Sequence, residues 1–479
     1  MSLSSSLFSG ISGLNALGNA MTVIGDNIAN VNTVGFKGSR VTFQDVLSQS
    51  VATTAGTAQV GRGTSLADIS SSFSQGSFES TDSSTDLAIG GSGFFVVRDP
   101  NNANNEFYSR AGEFRFDKDG NFVNPAGYIV RGWALDEVTG EDLGTITDIT
   151  LSSFTSSPSE TDNLSMIINL DSDATNNSTG SNTALSDRWD GDNIAGDYLG
   201  AGDFEYQTTL KAYDSLGSTH DITIYFDPGE SAADPVWEYI VTCNPSEDNR
   251  TITDTDHTGL LARGTVEFNS SSGQMSGAAN SITCSLNNGD GTWTDLTNAD
   301  ATVNGGYFAI TPDFVGGSPM NVELDFGTRF NGSVWANDSL STTQFASAST
   351  TVFQSANGYG AGDLQSMTVA TDGVITGQYS NGQVLPLYRV ALANFQNDQG
   401  LYKVGSNLYR ETRLSGDPIT GRPGSNGLGN ISPNSLEQSN IDLATEFVKM
   451  ITTQRGFQAN SKIITVTDQM LNELIQLKR

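Results

Sequence analysis

Residues 3–31 read LSSSLFSGISGLNALGNAMTVIGDNIANV, and this stretch decides the N-terminal part of the fold. Apolar side chains recur in it at alternating steps of four and three residues, with Gly10 as the one miss, and no proline interrupts the series. Such spacing places one apolar stripe on a single helix face and is typical of a coiled-coil seam. The predicted stripe consists of Leu3, Leu7, Leu14, Leu17, Met21, Ile24, Ile28 and Val31.

A second helix with the same period is predicted at the other end of the chain, over residues 438–479. Ser439 followed by Asp442 is typical of a helix start. Polar residues interrupt the heptads at Gln454, Ser461 and Asp468. Since isolated helices are marginal in water, both stripes need partners, namely each other and neighbouring copies. The C-terminal stripe consists of Leu443, Phe447, Met450, Phe457, Ile464, Leu471 and Ile475.

The roughly 400 residues between these helices have the texture of β structure. Phe114 and Phe116 alternate with charged residues before an Asp119-Gly120 turn, a pattern typical of antiparallel hairpins. Residues 155–203 are rich in Ser, Asn, Asp and Gly, which predicts long loops. The sequence therefore predicts a mixed fold. N- and C-terminal α-helices are expected to form a coiled coil, and the region between them is expected to form antiparallel, all-β domains.

Charge is distributed unevenly along the chain. The whole sequence carries 23 basic and 54 acidic residues, for a net charge of -31, and residues 148–350 alone carry 29 acidic and 5 basic residues. An acidic surface repels nucleic acid and anionic membranes, so we expect neither as a partner. The sequence has no run of 18 apolar residues, so it predicts no membrane-spanning segment. No basic residue precedes Lys37, so a secretory signal of the usual kind is not predicted.

Few residues of the sequence suggest chemistry. Its histidines, His220 and His257, have no Cys or His at metal-ligand spacing, and His220 follows a turn, which predicts a surface or hairpin role. Cys243 and Cys284 are too few for a disulfide framework, and burial as free thiols is favoured over a bridge between them. Residues 117–121 suggest a calcium loop but fail its spacing, so a simple turn is predicted. We predict no catalytic, cofactor or metal residues and no enzymatic activity.

The end of the first helix carries a specific motif within residues 26–37, DNIANVNTVGFK. Asn side chains can cap the last carbonyls of a helix, and a glycine there lets the chain turn outward. This motif resembles the signature of the flagellar rod and hook protein family, and residues 454–460 resemble the C-terminal helix of that family. The residues that carry the N-terminal resemblance are Asn27, Asn30, Asn32, Thr33, Gly35 and Phe36.

The resemblance covers residues 1–140 and 355–479 and implies a layered subunit with a large outer insertion. Whether that insertion is one domain or two subdomains stays open. The implied domains are a helical inner core of residues 1–33 plus 438–479, a linker of 34–72, an inner β domain of 73–147 plus 351–437, and an outer β domain of 148–350.

Within the family, the long insertion favours the hook over the distal rod. The resemblance then implies a structural subunit that polymerises with itself into a curved, flexible, extracellular tube. This tube transmits torque from rod to filament, and its subunits are exported without a cleaved signal peptide. The implied partners are the distal rod protein, the hook cap protein, the hook-filament junction protein and the type III export apparatus. The alternatives are a distal rod protein and a secreted adhesin or carbohydrate-binding module.

Overall fold

The computed structural model describes the chain except for residues 1, 54–55, 138, 152, 180, 194–195, 197, 231–234 and 478–479. It divides into two compact units. Unit 1 comprises Met1–Phe154 together with Leu364–Arg479, and unit 2 comprises Thr155–Asp363. The structure is mostly β-sheet with a long helix at each end, so the mixed fold class is confirmed at this level.

The first part of unit 1 begins with the N-terminal helix and continues as short strands. These elements are α1 (Ser2–Ala29), β1 (Ser39–Asp45), β2 (Gln49–Thr53), β3 (Gly56–Val60), β4 (Thr64–Ser71), β5 (Phe78–Ser80), β6 (Leu87–Gly90), β7 (Phe94–Asp99), β8 (Asn102–Ser109), β9 (Arg115–Phe116), β10 (Phe122–Val123), β11 (Ile129–Leu135) and β12 (Asp142–Asp148).

Unit 2 supplies the next strands, two short α-helices and two 3-10 turns. Its elements are β13 (Thr155–Ser156), β14 (Asn163–Asp171), α2 (Ala184–Asp187), β15 (Tyr206–Tyr213), β16 (Thr219–Pro228), β17 (Val236–Thr242), η1 (Pro245–Glu247), η2 (Thr255–His257), β18 (Leu260–Glu267), β19 (Ile282–Asn287), β20 (Trp293–Asp295), α3 (Asn298–Val303), β21 (Phe308–Ile310), β22 (Val322–Asp325), β23 (Thr328–Phe330), β24 (Trp335–Asn337), β25 (Thr343–Phe345) and β26 (Thr350–Ala356).

The chain then returns to unit 1 and ends in its longest helix, of 35 residues. The remaining elements are β27 (Gly362–Val369), β28 (Val374–Tyr379), β29 (Val384–Val390), β30 (Leu392–Asn394), η3 (Asp398–Gly400), β31 (Tyr402–Gly405), β32 (Leu408–Arg410), β33 (Ile419–Gly421), β34 (Asn430–Pro433), β35 (Ser435–Glu437) and α4 (Leu443–Leu477).

Unit 1 is built around β7, which is apolar on both faces. Phe95 and Val97 belong to one buried cluster and Phe94 and Val96 to another, as expected for successive side chains of a central strand. The strand lies between β11 and β8 in an antiparallel sheet, and β30 also pairs with it. Because β30 comes from the second half of the chain, this pairing closes the discontinuous unit.

Unit 2 contains two larger sheets that share one main core. Strands β15–β20 form an antiparallel meander, and the other sheet has the order β21-β22-β14-β25, with β26 also paired to β14. Side chains from β14, such as Met166 and Ile168, share a buried cluster with Ile224 and Phe226 of β16. Both sheets therefore contribute to the same apolar core, in the manner of a β-sandwich.

Several expectations for the middle of the chain need correction. The outer part is not purely antiparallel, because β14 pairs in parallel with β22 and β25, and it contains the short helices α2 and α3. Residues 155–203 hold the buried strand β14 as well as loops, because its apolar residues fill the core. His220 lies in a hairpin strand as expected, but it is buried rather than on the surface.

Candidate functional site

The terminal helices α1 and α4 pack against each other through small residues of both helices. A Cβ atom built on Gly10 would lie 3.2 Å from Cγ1 of Ile464, and one built on Gly456 would lie 3.1 Å from Cδ1 of Leu17. Ala16 and Ala20 are also buried on α1. Small side chains let two helices approach closely, which explains why glycines lie at this contact despite their low helix propensity.

The predicted stripe of α1 is only partly buried at this contact, where Leu17 lies against Gly456. Ile24 is buried, with 7% of its surface exposed. The side chain of Leu3 lies outside the described part of the structure. Six members of the predicted stripe are only half-buried in the single chain, and these are Leu7, Leu14, Leu17, Met21, Ile28 and Val31. A coiled-coil geometry for α1 and α4 thus stays a prediction, although the helices do contact each other.

Helix α4 carries many apolar side chains that nothing covers within one chain. Met450 and Ile464 are half-buried, whereas Phe447 and Ile475 are 49% and 66% exposed. The exposed large apolar residues among those described on α4 are Leu443, Phe447, Val448, Ile451, Phe457, Ile463, Val466, Met470, Leu471 and Ile475. Contiguous exposed apolar surface is typical of interaction sites.

The motif at the end of α1 joins three segments of unit 1 through Asn27. This side chain is 3% exposed, donates from Nδ2 to the carbonyl of Ser39 at 2.8 Å, and accepts the Ser39 N–H at Oδ1 at 2.9 Å. Its Nδ2 also lies 3.4 Å from Oε2 of Glu446 on α4. Asn27 thereby holds β1 and α4 to the end of α1.

The next motif residues end the helix and turn the chain. Asn30 donates from Nδ2 to the Asp26 carbonyl at 2.9 Å, and Thr33 donates from Oγ1 to Oδ1 of Asn30 at 3.1 Å. Gly35 has a φ of +68° and its N–H donates to the Glu437 carbonyl at 2.7 Å.

Two further motif residues have lesser contacts in a single chain. Asn32 is exposed. The half-buried ring of Phe36 lies 5.4 Å from Nζ of Lys403, a cation–π contact that ties the motif to β31.

A buried ionic cluster lies beside this turn. Lys37 and Glu437 have fully buried side chains and form an ion pair of 2.7 Å, and Arg110 lies 3.5 Å from the second carboxylate oxygen of Glu437. Nζ of Lys37 also donates to the Ser74 carbonyl, and the Gly76 N–H donates to Glu437. Burial lowers the pKa values of Lys37 and Arg110, and the carboxylate of Glu437 opposes that effect.

Sequence reasoning missed the roles of these charged residues. Lys37 lies within the motif, but its sequence distance of 400 residues from Glu437 gave no sign that they pair. Asn440 was also missed, although its Oδ1 accepts the Gly38 N–H and its Nδ2 donates to carbonyls of Ser72 and Ser74. The one feature of the sequence that could have indicated these roles is position, since Glu437 and Asn440 lie shortly before the C-terminal helix.

Other candidate sites of the sequence take no part in this junction. Cys243 and Cys284 are buried, free thiols of unit 2. Among the described residues, no group of three or more His, Cys, Asp or Glu side chains could hold a metal ion. Segment Ser6–Ala29 of α1 is long and apolar enough to cross a membrane by length and composition, a test that soluble core helices also pass. The absence of membrane insertion stays a prediction.

The fold and the junction together define a class of subunit whose chain ends meet in one helical pair, with β units inserted between them. Four family models match this chain, and all describe flagellar hook, rod or basal-body proteins. The models are flagella basal body rod protein at residues 7–37, flagellar hook protein FlgE/F/G D1 domain at 88–181, flagellar basal body protein FlaE D2 domain at 185–359, and flagellar basal body rod FlgEFG protein C-terminal at 432–477.

Full-length relatives narrow this class. The chain is 35% identical to the flagellar hook protein FlgE of Borreliella burgdorferi, with 99% of each chain covered. It is 34% identical to that of Treponema pallidum, with 99% of each covered, and 31% identical to that of Escherichia coli, with 98% of each covered. The crystal structure of flagellar hook protein FlgE2 of Helicobacter pylori aligns with a TM-score of 0.46 and 17% identity, covering 75% of this chain and 100% of that one.

This chain belongs to the flagellar hook protein family. The prediction of a hook structural subunit is therefore confirmed over the rod and adhesin alternatives.

Proposed function

We propose that this chain polymerises with copies of itself into the tube of the flagellar hook, and that the exposed apolar side chains of α4 form the contacts between copies. The observation that carries this proposal is the exposure of ten large apolar side chains on one helix. A helix that is apolar beyond one face needs cover on several sides. Since α1 covers only part of α4, neighbouring copies would supply the rest.

The position of the acidic residues supports an outward place for unit 2 in this tube. Residues 148–350 carry most of the net negative charge, whereas α1 has no charged residue before Asp26. Acidic surfaces are stable in water and repel one another when packed closely. We therefore infer that the apolar helices line the inside, in coiled-coil contacts, and that unit 2 faces the extracellular solvent.

We infer the finer parts of the role from membership of this family. The curved tube would transmit torque from rod to filament without enzymatic activity. Its partners would be the distal rod protein, the hook cap protein, the hook-filament junction protein and the type III export apparatus, which would export the chain. Outer contacts between polar surfaces would slide more easily than interdigitated apolar ones, which would let the tube bend.

The test is polymerisation of the purified full-length chain, measured by sedimentation and electron microscopy. The double variant Phe447→Asp, Ile451→Asp places two charges on side chains that are each 49% exposed, so the monomer should fold normally and fail to polymerise. Gln458→Asp, at an exposed polar position of α4, is the matched control and should polymerise as the wild type does. Normal tubes from the double variant would refute the assignment of this surface.

A further inference from the structure

A covering segment lies over one face of the six-stranded sheet of unit 2, and no role has yet been assigned to it. We call residues 176–189 the cover, with residue 180 outside the description. Leu185 and Trp189 of the cover are buried in a cluster with Ile240 and Leu260 of the sheet. The indole N–H of Trp189 donates to the Thr258 carbonyl at 2.9 Å.

Two buried carboxylates of the sheet hold the cover. Asp227 and Glu238 lie opposite each other on β16 and β17, and they are 0% and 1% exposed. The Ser178 N–H donates to Oδ2 of Asp227 at 2.8 Å, and the Leu185 N–H donates to Oε1 of Glu238 at 2.9 Å. The Asn177 N–H also reaches Asp227, at 3.0 Å from Oδ2. Backbone groups of the cover are thus the donors for both acids.

Glu238 is incompletely satisfied in this arrangement. Its buried Oε2 has no hydrogen-bond partner among the described residues. The nearby cation, Arg263, is engaged elsewhere, because its Nη1 donates to Oγ of Ser186 at 3.0 Å and its guanidinium lies 4.0 Å from the Trp293 ring centroid. A buried charge without a full set of partners is costly, so the site favours a neutral Glu238.

The neighbouring carboxylates act in the same direction, whereas the positive charge of Arg263 acts against them. Burial raises the pKa of Glu238 to about 7, and the negative charges of Asp227 and Asp187 add to this, while the N–H groups of Leu185 and Ser186 oppose it. Burial also raises the pKa of Asp227. A metal ion in place of the proton is disfavoured, because the groups from the cover that point at the two acids are N–H donors.

We propose that the cover is a proton-controlled latch, which is closed on the sheet while Glu238 is protonated and opens locally when Glu238 ionises. Opening would let water reach the carboxylate, whose affinity for a proton would then fall to that of an ordinary Glu side chain. It would also uncover the aromatic face that includes Tyr225 and Trp293. The surface of unit 2 would change from polar to partly apolar between mildly acidic and alkaline conditions.

The sign and size of the effect follow from linkage. The closed form has a pKa of about 7 and the open form the ordinary value of 4.5, so closure is most stable below 4.5 and loses stability as the pH rises to 7. For one such group the equilibrium constant for opening increases about 70-fold between about pH 5 and about pH 8.5. Above the closed-state pKa, the constant changes little.

The test is amide hydrogen exchange of the full-length chain at these two pH values, corrected for the intrinsic dependence of exchange on pH. Peptides spanning residues 177–186 of the wild type should lose protection by about 70-fold on going to the higher pH. Glu238→Gln should lose this dependence, because an amide does not titrate. Glu160→Gln, at an exposed position of the same unit, is the matched control and should keep it.

Two results would overturn the latch. One is a wild-type change of less than about five-fold, and the other is a full pH dependence that persists in Glu238→Gln. If Glu238→Gln does not fold, the wild-type carboxyl carbon signal of Glu238 is titrated by NMR instead. A midpoint near 7 would support the latch, and a midpoint near the ordinary 4.5 would refute it.

Discussion

Glu437→Gln should destabilise unit 1 by about 3–5 kcal/mol, because it removes the carboxylate shared by two buried cations. Glu437 is fully buried, lies 2.7 Å from Nζ of Lys37 and is 3.5 Å from Nη1 of Arg110. The glutamine would keep one oxygen acceptor but turn an NH2 group toward a second donor. The loss therefore includes two uncompensated charges and one unfavourable donor–donor contact.

Removing one of the two cations should lower the free energy of unfolding by less than removing the Glu437 carboxylate does. Lys37→Met leaves the Glu437–Arg110 pair intact, and the Ser74 carbonyl loses one donor but keeps the hydrogen bond from Asn440, so we expect about 1–3 kcal/mol. The double variant Lys37→Met, Glu437→Gln should fall short of the sum by about 0.5–3 kcal/mol, because the two side chains contact each other. A larger loss of stability for Glu437→Gln than for Lys37→Met, together with non-additivity in the double variant, distinguishes an ionic cluster from a general loss of packing.

The assay is urea unfolding followed by fluorine NMR of labelled tryptophan. The chain has 5 tryptophans, and of these Trp133 alone lies in unit 1, so its signal reports that unit separately from unit 2. Exposed Glu113→Gln is the control and should stay within about 0.5 kcal/mol of the wild type. A loss below about 1 kcal/mol for Glu437→Gln, or full additivity in the double variant, would refute the reasoning.

Three further predictions concern close packing, backbone conformation and thiol burial. Gly13→Leu should destabilise the packed helices by about 1–3 kcal/mol, because a Cβ atom at this position would lie 2.9 Å from a side-chain atom of Asn460 on α4. Gly18→Leu is the control and should not destabilise them, because a Cβ atom there meets nothing within 4 Å. Thermal unfolding followed by circular dichroism tests both variants. Gly35→Ala should cost at least about 1 kcal/mol in urea unfolding, because φ is +68° and a Cβ would approach a backbone nitrogen to 2.5 Å. Burial raises the pKa values of Cys243 and Cys284 to about 12, so a thiol reagent at neutral pH should label these cysteines only after unfolding. Rapid labelling of the folded protein would contradict this prediction.

The sequence alone determined the local features of unit 1. Heptad spacing predicts both terminal helices, because side chains on one helix face repeat with the helical period. The glycine after the Asn-rich motif predicts the turn at Gly35, since few other residues adopt a positive φ without strain. Each of these depends on residues close together in the chain, so the pattern is readable without the tertiary structure.

Only the tertiary structure decided which groups meet across the chain. A period identifies an apolar face of a helix but not the residues that cover it, and only the structure places Gly10 against Ile464 and Leu17 against Gly456. Lys37 and Glu437 pair across 400 residues, and Glu238 is buried only because a distant segment folds over its strand. The cost of a buried charge depends on the groups that surround it in space, and a sequence does not state which groups those are.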